Sequence, residues 1–228
     1  MVTPESRGRI AVPTGEVGAT RIEPKGAVAT LIVAHGAGAG RDHPFLVGFC
    51  RAMGDAGVAT QRFDFPYIER GRRTPDPERV LRETWLAAFQ DASERAGGRA
   101  VLAGGKSLGG RIASMCVADG MPAAGLVFLG YPLHPPGRTD RLRAEHLGRI
   151  RVPMLFLQGT RDPFARPDLL AGVLAGLGDR ATLVPIEGGD HSFRVRGRVR
   201  GDKDDDRAIG AALAAEAAPF VRRVAGAR

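Results

Sequence analysis

Gly105-Lys106-Ser107-Leu108-Gly109 stands between two segments of different periodicity. Ahead of it, Arg99 to Gly104 (RAVLAG) is an apolar run that predicts a short buried strand. After it, Gly110 to Ala118 (GRIASMCVA) predicts a helix. A Gly-x-Ser-x-Gly between strand and helix is a nucleophile elbow: the turn is so sharp that side chains two residues either side of the serine would collide with the strand or the helix. It lifts Oγ clear of a sheet and leaves the Leu108 N–H free at a helix N-terminus, where a developing oxyanion can be held. Two plainer readings compete. Glycine is abundant, 32 of 228 residues, so an incidental serine in a turn fits the same five residues. A phosphate loop would need a glycine five positions before Gly105, and Ala100 stands there, inside the strand.

The rest of the chain decides between these readings. Arg9–Val12 and Ala19–Ile22 are strand candidates around the turn Pro13-Thr14-Gly15-Glu16, and predict a hairpin. Ala27 to Ala34 is an unbroken apolar run, expected of a strand buried on both faces. It ends in His35-Gly36-Ala37-Gly38-Ala39-Gly40. Asp42 is the expected cap of a helix from about His43 to Ala56. A strand follows over Val58–Phe65, a polar loop over Pro66–Asp76, and a helix over Pro77–Ala96, with Trp85 on its apolar face. After the elbow come a strand at Gly125–Leu129, a short helix near Asp140–Leu147 and a strand at Val152–Leu157. A helix at Pro167–Leu177, a strand at Ala181–Ile186 and an alanine-rich helix over Asp204–Val224 complete the pattern. Alternation of this kind predicts a mostly parallel, twisted sheet with helices on both faces, built as one domain over residues 1–228. In such sheets chemistry collects at the carboxyl ends of the strands. The His35 loop, Ser107, Asp162 and His191 all fall at such ends.

That coincidence supplies a chemistry. A serine hydroxyl needs a base within hydrogen-bond reach, and the base needs an orienting acid. Ser107, Asp162 and His191 occur in the chain order expected for this architecture. His191 is assigned the base role and Asp162 the orienting role; Asp168 is the weaker rival, inside a helix pattern, and Asp190 is expected to cap its own loop. The second oxyanion donor is expected from the loop after the third strand, with Ala37 N–H as partner to Leu108 N–H. His35 reads as a hydrogen-bonder that shapes this loop. Candidate pocket residues, chosen because they follow strand ends, are Phe45, Phe65, Tyr67, Tyr131, Leu133, His134 and Phe164.

Several stretches carry a resemblance. AHGAGAG at 34–40, GGKSLGGR at 104–111, GYPLHPPG at 130–137, LFLQGTRDPF at 155–164 and GGDHSF at 188–193 together resemble lid-less α/β-hydrolases of the dienelactone-hydrolase-like kind. The resemblance extends to a group that includes small bacterial hydrolases and the hydrolase-like domain of the nonspecific-lethal complex subunit three. The resemblance implies an α/β-hydrolase fold and the catalytic residues Ser107, Asp162 and His191. Dienelactone hydrolases use a cysteine nucleophile, so their substrate is not carried over. Only about twenty residues separate the strands ending at Leu129 and starting at Val152, too few for a cap domain.

Composition excludes some partners. Hydrophobic content of 43% and charged content of 25% suit a globular chain with a real core. The net charge is +8, yet lysines are only three of the 33 basic residues and most arginines lie singly among acids. Together with abundant alanine and glycine this is a compositional bias, and no nucleic-acid partner is expected. No signal-type or membrane-spanning run occurs, and Cys50 and Cys116 suit buried thiols, so a cytoplasmic protein is expected. Arg194, Arg196, Arg198 and Arg200 alternate just beyond His191. They read as an exposed loop or edge strand, and more sharply as a lure for an acidic substrate or partner.

The expectation is a serine hydrolase acting on a small-molecule ester or thioester through an acyl-enzyme, with no metal and no cofactor. The rival is a hydrolase fold used as a protein-interaction scaffold, since fold alone does not imply activity. Oligomeric state and natural substrate stay open.

Overall fold

The computed structural model describes residues 3–197 and 203–227. Eight strands form one sheet: β1 (Glu5–Val12), β2 (Gly15–Ile22), β3 (Ala29–Ala34), β4 (Ala59–Phe63), β5 (Ala100–Lys106), β6 (Leu126–Leu129), β7 (Met154–Gly159) and β8 (Ala181–Ile186). Their order is β1-β2-β4-β3-β5-β6-β7-β8. The hairpin β1–β2 is antiparallel and joins β4 antiparallel; every later pairing is parallel. Six helices accompany them: α1 (Pro44–Asp55), α2 (Pro66–Glu69), α3 (Glu78–Arg95), α4 (Leu108–Ala118), α5 (Pro167–Leu177) and α6 (Lys203–Gly226).

The two faces are read directly from the pleat. Successive side chains of a strand point to opposite sides. Ile32 and Ala34 of β3, Val101 and Ala103 of β5, and Leu126 and Phe128 of β6 join the core under α3, α4 and α5. Their neighbours Leu31, Val33, Leu102, Val127 and Leu129 join the core under α1 and α6. Burial on both faces explains why these strands are continuous apolar runs in the sequence. On one of those faces α1 and α6 cross at glycines. A Cβ on Gly210 would strike the carbonyl of Phe45, and one on Gly48 that of Arg207.

β3 is the switch point. The chain leaves it through α1 to β4 on one side and later returns through α3 to β5 on the other. The crevice that opens at the carboxyl ends there is the expected place for a ligand. From β6 to β7 the chain makes a loop and one short 3₁₀ turn, Glu145–Arg149, with no cap domain.

Three local expectations are corrected. Asp42 does not cap α1: Pro44 occupies the first helical position, so the cap falls on His43, whose Nδ1 accepts from Phe45 N at 3.3 Å. Asp42 pairs with Arg7 and Arg62 instead. The loop over 66–76 begins with the single turn of α2, which Pro66 initiates. The helix expected near 140–147 shrinks to the 3₁₀ turn. Cys50 and Cys116 are buried, unpaired thiols, and burial pushes them up to about 11 and about 12. Among the described residues no helix is long and apolar enough to cross a membrane.

Candidate active site

Ser107 is the single residue between β5 and α4, and it adopts φ 49°, ψ −113°. Non-glycine residues rarely take a positive φ, so the turn must be held from outside. Its N–H donates to Leu129 O of β6 at 3.2 Å, and its carbonyl accepts from Arg111 N at 3.0 Å. The flanking glycines are required by close approach to β3: a Cβ on Gly105 would stand 2.5 Å from Ala34 O, and one on Gly109 would press on the same carbonyl. Fully buried Trp85 braces the turn through Nε1, which donates to Gly109 O at 3.0 Å.

The loops after β7 and β8 are laced together, with Arg161 N donating to Gly189 O at 2.9 Å and Gly188 N to Thr160 Oγ1 at 2.9 Å. This lacing carries His191 between Ser107 and Asp162. His191 Nδ1 lies 2.7 Å from Asp162 Oδ2, and Nε2 lies 2.8 Å from Ser107 Oγ. A carboxylate only accepts, so Nδ1 carries the proton and Nε2 is left to accept from the serine hydroxyl. The Asp162 carboxylate is buried and has two further donors: Gln158 Nε2 donates to Oδ2 at 2.6 Å and Phe164 N to Oδ1 at 2.8 Å. Gln158 is held in turn by Tyr131 N, which donates to its Oε1 at 2.8 Å. The Phe164 ring covers the imidazole at 4.3 Å between centroids. Asp168, the weaker rival, is exposed and paired with Arg166. Asp190 caps its own loop, accepting from Ser192 N and Arg194 N.

Lys106 was not anticipated as part of this frame. Its ammonium donates to the His191 carbonyl at 2.6 Å and lies 5.6 Å from the Phe193 ring centre. Burial pulls its pKa down to about 8, against the opposing pull of Asp162 and Asp190. Its place immediately before Ser107 was the available signal.

His35 shapes the loop after β3. Its Nδ1–H donates to Gly36 O at 2.8 Å, and Nε2 accepts from Phe65 N at 3.1 Å. Among the described residues, neither Ala37 N–H nor Leu108 N–H has a hydrogen-bond partner, and both residues line the cleft at Ser107. Burial holds His35 neutral by lowering its pKa to about 4. An unfolded histidine titrates near 6.5, so between those values the unfolded chain binds a proton that the folded chain refuses. Stability is therefore present above about pH 6.5 and lost as pH falls toward 4, by about 3 kcal/mol for this group. Urea unfolding at pH 7 and pH 4.5 measures the loss, and an unchanged midpoint would contradict it.

The cleft over Ser107 encloses about 550 Å³. Of the pocket residues expected from sequence, Phe45 and Phe164 line it. The other five do not, because their side chains turn back into the core. Phe65 and Tyr67 pack edge-on against the His35 ring. Tyr131 and Leu133 are buried, with Tyr131 OH donating to Arg143 O at 2.7 Å. His134 is a buried strap: its Nδ1–H donates to Pro135 O, and Nε2 accepts from Arg166 N. Sequence reasoning missed Leu46, Arg111 and Arg143 on the cleft wall. Arg111 was legible, since it lies one helical turn beyond Ser107. Arg143 comes from an irregular segment with no periodic signal. Arg194 reaches the cleft paired with Asp206, Arg196 is exposed, and Arg198 and Arg200 lie outside the described residues.

A serine turn, a histidine and a buried aspartate at the ends of three parallel strands define an α/β-hydrolase architecture. The alpha/beta hydrolase domain family model matches residues 27–221, and the chain belongs to that family, in its lid-less form. Its fold is similar to dienelactone hydrolase from Anabaena variabilis, with TM-score 0.75 and 19% identity, covering 96% of this chain and 97% of that one. It is also similar to a lid-less α/β serine hydrolase from Xanthomonas campestris, with TM-score 0.73 and 19% identity over 97% of each chain. An esterase from Pyrococcus furiosus matches at TM-score 0.73 and 12% identity, over 97% and 91%.

Proposed function

We propose that this α/β-hydrolase cleaves a small carboxylic ester or thioester by a two-step acyl-enzyme route. The observation that carries the proposal is the unbroken hydrogen-bond chain from Ser107 through His191 to Asp162. Ser107 Oγ attacks the acyl carbon while its proton passes to His191 Nε2. Asp162 holds Nδ1–H and stabilises the imidazolium. The oxyanion takes the two unpartnered N–H groups, Leu108 and Ala37. As the tetrahedral adduct collapses, the carbon–oxygen or carbon–sulfur bond breaks and His191 gives its proton to the leaving group. Water then attacks the acyl-Ser107 ester, with His191 accepting its proton and returning one to Ser107 Oγ as the acid departs. No step needs a metal or cofactor. Two buried free thiols are in keeping with a reducing, cytoplasmic setting.

Covalent labelling by a fluorophosphonate, mapped by mass spectrometry, tests the proposal. The label is expected on Ser107. An unlabelled native protein that also leaves nitrophenyl acetate and an acetyl thioester intact would refute it and leave the scaffold reading.

Acyl length follows from the missing cap. A lid supplies the apolar wall that buries long chains, each buried CH₂ being worth about 0.8 kcal/mol. Here the apolar lining is short, chiefly Phe45, Leu46 and Phe164. Further methylenes stay in water and add little transition-state binding. The expected result is a kcat/KM for nitrophenyl esters that peaks at short acyl chains and is flat or falling beyond about six carbons. A steady climb from acetate to palmitate, assayed below micelle formation, would reveal a channel this cleft lacks.

A further inference from the structure

The charge of the cleft is one-sided. Among the described residues, Lys106, Arg111, Arg143 and Arg194 line it, against one carboxylate, Asp206. Two of the cations are already engaged, Lys106 with the His191 carbonyl and Arg194 with Asp206. Arg111 is engaged only weakly, and Arg143, among the described residues, by no carboxylate. Glu78 approaches only one terminal nitrogen of Arg111, at 3.6 Å, and the buried Nε has no hydrogen-bond partner. Among the described residues, the Arg143 guanidinium has no hydrogen bond and no carboxylate in salt-bridge range. Burial and then the charge of Arg111 lower its pKa from the ordinary arginine value.

The backbone under this pair is fixed by a polar cluster around buried Ser114 and Tyr131. Ser114 Oγ donates to Arg111 O at 2.7 Å and lies 2.7 Å from His146 Nε2, while Tyr131 OH donates to Arg143 O at 2.7 Å. Burial first, then Arg111, lowers the His146 pKa to about 4, so the ring is neutral and adds no third charge. Two like charges held together with open donors in a partly dehydrated cleft cost free energy. An anion placed between them reverses that cost, and the planar forks of arginine suit paired oxygens.

We infer that Arg111 and Arg143 form a subsite for an anionic oxo group, carboxylate or phosphate, which the substrate carries in addition to its scissile ester. The inference rests on the serine-hydrolase reading for its catalytic meaning. The substrate class is then an acidic ester, such as the half-ester of a dicarboxylic acid, or its phosphorylated counterpart.

The test compares three esters: mono(4-nitrophenyl) adipate, its neutral primary-amide analogue, and an analogue ending in a phosphonate. The native protein is expected to prefer an anionic ester in kcat/KM by about ten- to a hundredfold, less at high salt. The better of the two anionic esters identifies the group. Arg143→Gln or Arg111→Gln should bring the anionic-to-neutral ratio toward one, mainly through KM, and Arg143→Lys should keep part of it. A native ratio near one, or variants that slow all three esters in parallel, would overturn the subsite. A second measurement needs no turnover. Calorimetric titration of Ser107→Ala with free adipate and with inorganic phosphate is expected to show saturable binding of one of them, lost when Arg143→Gln is added. Arg143-dependent binding in a protein whose native form hydrolyses nothing would leave the subsite standing and fell the hydrolase reading. Absence of Arg143-dependent binding of either anion would fell the subsite.

Discussion

Ser107→Ala is expected to lower kcat for nitrophenyl acetate by about 10⁴- to 10⁶-fold and to abolish fluorophosphonate labelling, while the protein stays folded. The side chain is not part of either core: its hydroxyl meets His191 Nε2 at the floor of the cleft. A second substitution separates chemistry from folding. Ser107 holds φ 49°, ψ −113°, a conformation that costs a residue with a Cβ about 1–3 kcal/mol. Glycine adopts it freely. Ser107→Gly should therefore be as inactive as Ser107→Ala and yet more stable than it, by about 1–3 kcal/mol in urea unfolding. Activity near the native level in either purified variant would remove Ser107 as nucleophile. Equal stability of the two would mean that the turn carries no strain.

The centre of the sheet was legible because its strands β3 to β7 are buried on both faces. Runs such as Ala29–Ala34 and Met154–Gly159 have few alternative structures, and Pro167 and Gly178 punctuate α5 at the residues where it starts and stops. The elbow was legible for a different reason. Gly105 and Gly109 answer a steric demand from the carbonyl of Ala34, the last residue of the neighbouring strand β3. Side-chain direction beyond the strand ends was not legible. Phe65, Tyr67, Tyr131, Leu133 and His134 follow strands as Phe164 does, yet they fold back under loops whose shape depends on tertiary hydrogen bonds such as His134 N to Phe164 O at 2.9 Å. Gln158 escaped notice because a glutamine inside an apolar strand has no local signature. Its role exists only once the loop after β6 delivers Tyr131 N and the loop after β7 delivers Asp162.

Asp162→Asn is expected to lower kcat by about 10³- to 10⁴-fold with little change in KM, while Asp168→Asn is silent. The hydrogen bonds around Asp162 leave an asparagine no good orientation. Oδ2 accepts from both Gln158 Nε2 and His191 Nδ1, and Oδ1 accepts from Phe164 N. Gln158 cannot turn over to help, because its own carbonyl is held by Tyr131 N. If the asparagine NH₂ takes the Oδ2 place, it faces the Gln158 NH₂, and His191 Nδ1 must give up its proton and accept. The proton then moves to Nε2, which can no longer take one from Ser107. If the NH₂ takes the Oδ1 place, it opposes the Phe164 N–H, and the strain falls on the Phe164 ring that covers the imidazole. In both cases the negative charge that stabilises the imidazolium is gone. Asp168 has no such surroundings; it is exposed and, among the described residues, its charged partner is Arg166. Steady-state kinetics of the two variants on one short-chain ester decide the matter. An inactive Asp168→Asn beside a normal Asp162→Asn would move the orienting acid from the loop after β7 to the first turn of α5.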